Sequence, residues 1–263
     1  MKYPGALLFM LLAISSATLA QYPPGKAPVK TGPASPVPVV TIRPQPDAAL
    51  RIVSANTSWV MGESGIGIFI LVENAGERVI RAFATRRHNA GAAELTGCFL
   101  NNLLPGKVLR RGQTDGKNTW QHYTPGAPLP VIWVDFIEFS DNSTWGADEC
   151  HCADRLAGER EGARAMRALL LKILNEAGPE GILKFLKESE EKIKAARAAG
   201  DYAAADQLVL IETPPGHSIV FEEGFRAGAS TMAGRAKVAN DEWGSAAEIE
   251  AALRRPYDAS EVK

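Results

Sequence analysis

From Leu50 onward the apolar residues fall in short runs of β-branched and aromatic side chains, separated by turn formers. Strands are predicted in "LRIVSANTSWV", "GIGIFILVENAG", "RVIRAFATRRH", "GCFLNNLLPG", "KVLRRGQT" and "LPVIWVDFIEFS". The punctuation lies at Asn74 to Gly76, Pro105-Gly106 and Pro125-Gly126. Within "WVDFIEFSDNSTWG", Asp141 and Asn142 both tolerate positive φ. They predict a two-residue hairpin turn that sets Phe139 opposite Thr144 and Glu138 opposite Trp145. About seven strands in roughly a hundred residues predict an immunoglobulin-like or fibronectin-type β-sandwich over residues 48–147.

Past Ala147 the apolar period lengthens from two to about 3.6 residues. Leu156, Ala163, Met166, Leu170, Ile173 and Ala177 form one stripe, and Gly178-Pro179 ends that helix and opens the next. Ile182, Phe185, Leu186, Ile193 and Ala196 line the inner face of the second helix, with Gly200 as its stop and Asp201 as the following cap. "AAGDYAAADQL" resembles the turn of one tetratricopeptide unit; without a repeat it predicts a helical hairpin and no solenoid. Helical spacing returns at Phe221, Phe225, Ala229, Met232, Ala236 and Ala239. Gly224, Gly228 and Gly234 weaken helix propensity there while permitting close packing. Ser245 and Glu248 make a capping box for a last helix that Pro256 closes. The expected architecture is therefore a two-domain β + α chain, with the sandwich followed by an α-helical domain over 148–257 and a frayed tail at 258–263.

The N-terminal "MKYPGALLFMLLAISSATLAQ" has a lysine, an apolar core too short for a stable anchor, and small residues before a cut after Ala20. It predicts a signal peptide over 1–20 and an exported chain, periplasmic or extracellular. Eight prolines between Gln21 and Asp47 predict an extended, disordered linker over 21–47. No later run approaches the length of a transmembrane helix, so none is expected after cleavage. Cleavage removes one lysine and no acid, taking the formal net charge from −1 to −2. That balance supplies no field to gather a polyanion, so no nucleic-acid partner is expected. Arg81, Arg86, Arg87, Arg110 and Arg111 are read as a solvated strand face.

"LVENAGERVIRAFATR", "LLPGK", "VDFIEFSDNSTWG" and "RRPYDAS" together resemble uncharacterised secreted bacterial proteins that pair an N-terminal immunoglobulin-like sandwich with a helical C-terminal half. The resemblance spans residues ~40–260, rests on framework motifs, and implies fold and compartment without an activity.

Candidate chemistry is sparse. In "WGADECHCADRLAG", Cys150-His151-Cys152 cannot converge on one ion locally, whether the segment is extended or helical. A zinc site needs a second ligand pair, which the spacing does not offer. No metal and no cofactor are assigned. An exported chain oxidises its thiols, so Cys98 is expected to pair with either Cys150 or Cys152, closing a loop of about 50 residues worth ~4 kcal/mol. His217 with Glu222 and Glu223, in "PPGHSIVFEEGF", is a weaker constellation for acid–base or metal work. Trp133 is assigned to the core and Trp145, at a strand end, to a binding surface. Asp135 and Glu138, three apart on a strand, are expected on opposite faces. The absence of a Gly-x-Ser-x-Gly elbow, a phosphate loop or a dinucleotide fingerprint points to a non-catalytic binding or envelope-associated protein with a protein or glycan partner in the cell envelope. The alternative is a metal- or thiol-dependent enzyme with its site at the sandwich–helix junction.

Overall fold

The computed structural model describes residues 40–59, 65–88, 96–103, 107–122, 130–200, 211–242 and 244–261. The expected signal segment, linker residues 21–39 and residues 201–210 of the expected helical hairpin lie outside them. Strands come first: β1 (Thr41–Ile42), β2 (Leu50–Trp59), β3 (Gly65–Asn74), β4 (Ile80–His88), β5 (Thr96–Asn102), β6 (Thr114–His122), β7 (Val131–Phe139) and β8 (Thr144–Trp145). Helices follow: α1 (Cys152–Ala198), α2 (Ile219–Glu242), α3 (Ala246–Arg254) and a closing 3₁₀ turn, Ala259–Glu261. The chain is thus mixed α and β, with sheets in its first half and helices in its second. No helix among the described residues is long and apolar enough to cross a membrane.

A three-stranded sheet has the order β2-β3-β6, and a five-stranded sheet the order β1-β7-β4-β5 with β8 also paired to β7. All pairings are antiparallel except β1 with β7. Leu50, Ile68, Ile70 and Val72 from the first sheet share one core with Ile80, Phe83, Ile132, Val134, Ile137 and Phe139 from the second. The opposite face of β4 and β7 is also covered: Ala82, Ala84 and Phe136 pack against Cys152 and Leu156 of α1. Burial on both faces explains why "VIWVDFIEF" is nearly continuous in apolar character.

Bulges set the chemistry of this sheet. Between Ile80/Phe139 and Ala82/Glu138 the extra residue is Arg81; between Ala84/Phe136 and Thr85/Val134 it is Asp135. A bulge re-aims the inserted side chain, and both residues end up buried. In β2 the extra residue is Val53, left 46% exposed.

Several sequence expectations change. "KVLRRGQT" gives only a bridge from Leu109 to Ile80 and a turn, while the polar "TDGKNTWQH" forms β6 by pairing along the whole of β3. The hairpin slips by one residue: Glu138 faces Thr144 and Ile137 faces Trp145. Asn142 takes φ 68 and the Phe139 amide donates to the Ser143 carbonyl, so three residues form the loop. Residues 40–45 of the expected linker belong to the fold: Val40 is buried, β1 pairs with β7, and the Gln45 amide exchanges hydrogen bonds with both backbone groups of Val134 (2.7 and 2.8 Å). The tail does not fray at 258: Asp258 is 1% exposed and the Ala259 amide donates to the Leu103 carbonyl. Arg81 and Arg87 are buried rather than solvated.

In the helical half, α1 turns at Gly178, whose φ of 66° and ψ of −167° break the helix before Pro179. Upstream of that turn α1 runs parallel to α2. Gly158 abuts Phe221 and Gly162 abuts Phe225, four residues on in both helices. From α2, Gly224 and Gly228 press on the carbonyls of Arg155 and Glu159. A Cβ at any of these four would overlap backbone, so glycine is what permits the contact. Below it, Met166, Leu170, Ile182, Met232, Ala236, Ile249 and Leu253 form the helical core.

Candidate functional site

Three elements meet where β7, β5 and the head of α1 converge. The backbone after β8 folds back on β7: Asp148 N–H donates to the Asp135 carbonyl (3.1 Å), and Gly146 passes so close to that carbonyl that no side chain fits. This return brings Cys150 against β5, where it pairs with Cys98 at disulfide distance, with Cα atoms 6.2 Å apart. The separation is normal for the bond. The brace therefore joins a strand to the approach of α1, and Cys150 rather than Cys152 is the partner.

Cys152 begins α1 and is buried as a free thiol. Its pKa is pushed up to about 12, chiefly by burial and further by the carboxylates of Asp148 and Asp135. Those carboxylates sit at the positive end of the helix, where amides lack intrahelical partners. Asp148 accepts from the amides of Cys152 (2.6 Å) and Ala153 (3.1 Å), and Asp135 Oδ2 accepts from the amide of Cys150 (3.2 Å). Asp135 Oδ1 is buried and has no hydrogen-bond partner among the described residues. Ligand atoms of Asp135, Cys98 and Cys150 lie within 4.8 Å of one another, as do those of Asp135, Asp148 and Cys152.

A cavity of about 380 Å³ opens beside this cluster, lined by residues including Cys98, Cys150, Cys152, Lys117, Arg155 and Glu159. Burial raises the Glu159 pKa, against the hydrogen bond from Asn102 and the charge of Arg155. A second cavity of about 480 Å³ lies near Asp135, between Trp133, Trp145, Arg43 and Glu149. Trp133 is buried, with the Arg43 guanidinium 3.9 Å and that of Arg86 5.4 Å from its ring centroid; Trp145 is half-buried and packs on the core shared by the two sheets.

Deeper in the seam lies a charge network. Arg160 of α1 donates from both terminal nitrogens to Glu138 (2.9 and 2.6 Å) and from Nε to Asp258 (2.7 Å). Arg81 adds a bond to Glu138 at 2.9 Å. Burial alone would raise the Glu138 pKa, but hydrogen bonds from Arg160 and Arg81, with their charges, outweigh it and hold the carboxyl at about 2. Two cations and two anions thus join β4, β7, α1 and the C-terminal turn.

Of the weaker sequence candidates, Glu223 lines the 380 Å³ cavity beside the cysteines. His217 is exposed and stacks on Phe221 at 3.9 Å. Glu222 faces Arg226 at 3.6 Å and Glu223 faces Arg155 at 3.7 Å. Among the described residues, His217 joins no group of three possible ligands. Asp135 and Glu138 face the same helix, because the bulge at Asp135 undoes the alternation that would separate them. Sequence reasoning missed Asp148, Glu159, Arg160 and Asp258; the signal available was acids set into an apolar strand, which demand buried partners. Searches of protein-family models, curated proteins and solved structures found no match to this chain.

Proposed function

We propose that the chain is an exported, non-catalytic binding protein of the cell envelope, in which an immunoglobulin-like sandwich carries the recognition surface and the helices brace it. Leaving out the two-residue β1, the strands fall as first-second-fifth against fourth-third-sixth-seventh. That interleaving of two sheets supports the reading, with β8 as a very short last strand and the fourth strand paired to the third rather than to the fifth. The observation that carries the reading is the Cys98–Cys150 pair across the sheet–helix seam, since a lasting structural disulfide belongs to oxidising compartments. The buried charges also support it: Glu138, Arg81, Arg160 and Asp258 neutralise one another as a structural clamp. For recognition, Val53 and Phe69 stand exposed on the outer face of the three-stranded sheet, where an apolar contact with a protein or glycan would form.

The test is fractionation of a tagged chain with thiol counting, wild type against the V53D/F69D double variant. The wild type is expected in the envelope with one free thiol, and the folded variant is expected to be released from it. A chain recovered in the cytoplasm with three free thiols defeats the reading, as does robust turnover by the pure protein. One observation favours the enzyme alternative: the cavity beside Cys98, Cys150 and Cys152 also holds Glu159, whose raised pKa suits a proton donor.

A further inference from the structure

We propose that reducing the Cys98–Cys150 bond converts the brace into a binding site for one thiophilic divalent cation of the zinc class, with Cys98, Cys150 and Asp135 as ligands. The inference stands apart from the envelope-binding reading and does not depend on a partner. Its starting point is the unpartnered Oδ1 of Asp135, on a side chain 1% exposed. A buried carboxylate oxygen without a donor costs free energy, and a disulfide offers it none. The oxygen nonetheless belongs to a group that lies within 4.8 Å of both sulfurs. A cation held between two thiolates would supply the missing positive charge.

The geometry suits this. Zinc–sulfur bonds of about 2.3 Å place two tetrahedral sulfurs about 3.8 Å apart, a spread that side-chain rotation can reach from Cα atoms as widely set as these. A carboxylate oxygen is an accepted third ligand. Asp135 Oδ2 already accepts the Cys150 amide, the kind of outer bond that orients a ligating carboxylate. Cys152 and Asp148 flank the same carboxylate, and the 380 Å³ cavity gives access to a fourth position. The ligand pair that the local Cys-His-Cys spacing could not supply comes from β5 and β7.

The redox step balances. A dithiol reductant gives two electrons and two protons to the Cys98–Cys150 bond, which becomes two thiols while the dithiol closes its own disulfide. The cation then displaces both thiol protons to solvent.

The purified chain would be reduced anaerobically, freed of reductant, checked for retained fold by circular dichroism, and titrated with Co²⁺. One cobalt per chain is expected, with a thiolate-to-cobalt charge-transfer band that Zn²⁺ bleaches. The oxidised chain is expected to show no such band. Asp135→Asn should weaken cobalt binding at least tenfold, and Cys98→Ser should abolish the band. The proposal is overturned by a reduced wild type that shows no band or has lost its fold. A band of equal affinity in D135N, or one that survives in urea, also overturns it.

Discussion

Replacing Glu138 by glutamine keeps the side chain's shape and removes its charge from the seam. The folded carboxyl sits at about 2 against an ordinary 4.5. At ~1.4 kcal/mol per pH unit, that depression is worth about 3 kcal/mol of stability above pH 5. The value agrees with the ~3–5 kcal/mol typical when one member of a buried pair is removed. The sign follows from the direction of the shift. A depressed folded pKa means the unfolded state binds the proton first as pH falls. The stabilisation is therefore whole above the unfolded value near 4.5 and drains away down to about 2. Urea titrations of the oxidised protein at pH 7 should show E138Q less stable by about 3 kcal/mol, and between pH 5 and 2.5 the wild type should lose stability more steeply than E138Q. Equal midpoints at pH 7, or parallel slopes through the acid range, would refute the clamp.

Other outcomes follow from the same contacts. Gly162→Ala places a methyl in the backbone of Phe225 and should cost at least ~2 kcal/mol, whereas Gly234→Ala, on the exposed side of α2 with open space around it, should gain up to ~1 kcal/mol; thermal melts of the pair measure both. Native protein at pH 8 should resist thiol alkylation, because Cys152 is buried and its pKa lies at about 12; intact mass should find one label after denaturation and three after reduction. Asp148→Ala strips two amide acceptors from the head of α1 and should lower stability by ~1–2 kcal/mol in urea, with Asp148→Asn recovering part of it.

Periodicity carried much of the fold. The long apolar strands and the stripes of α1 and α2 could be read because burial on one face or seam leaves a period of 2 or 3.6 in the chain. Apart from the local slip of the hairpin, the failures share one cause: contact between residues far apart in sequence. β6 is polar along most of its length and becomes a strand by pairing with β3, so its alternation is weak. Asp258 looked like part of a tail because Arg160, 98 residues earlier, is what buries it. The slipped hairpin turns on one left-handed residue, Asn142.

The candidate site was hidden by the same kind of event, and at its centre. Strict alternation along "WVDFIEF" puts Asp135 and Glu138 on opposite faces, and from that premise no acid meets the cysteines. One inserted residue in the β4–β7 ladder changes this. The bulge turns Asp135 toward the helix that also receives Phe136 and Glu138, and the return of the chain after β8 sets Cys150 and Cys152 against it. Both acids of β7 thus face α1 but meet different electrostatics. Glu138 meets two guanidinium groups and is held ionised, while Asp135 meets a helix terminus and three sulfurs with one oxygen left over. A charge inside an apolar strand is a demand for a partner, and where the fold leaves that demand half met, the remaining atom marks where a ligand would bind.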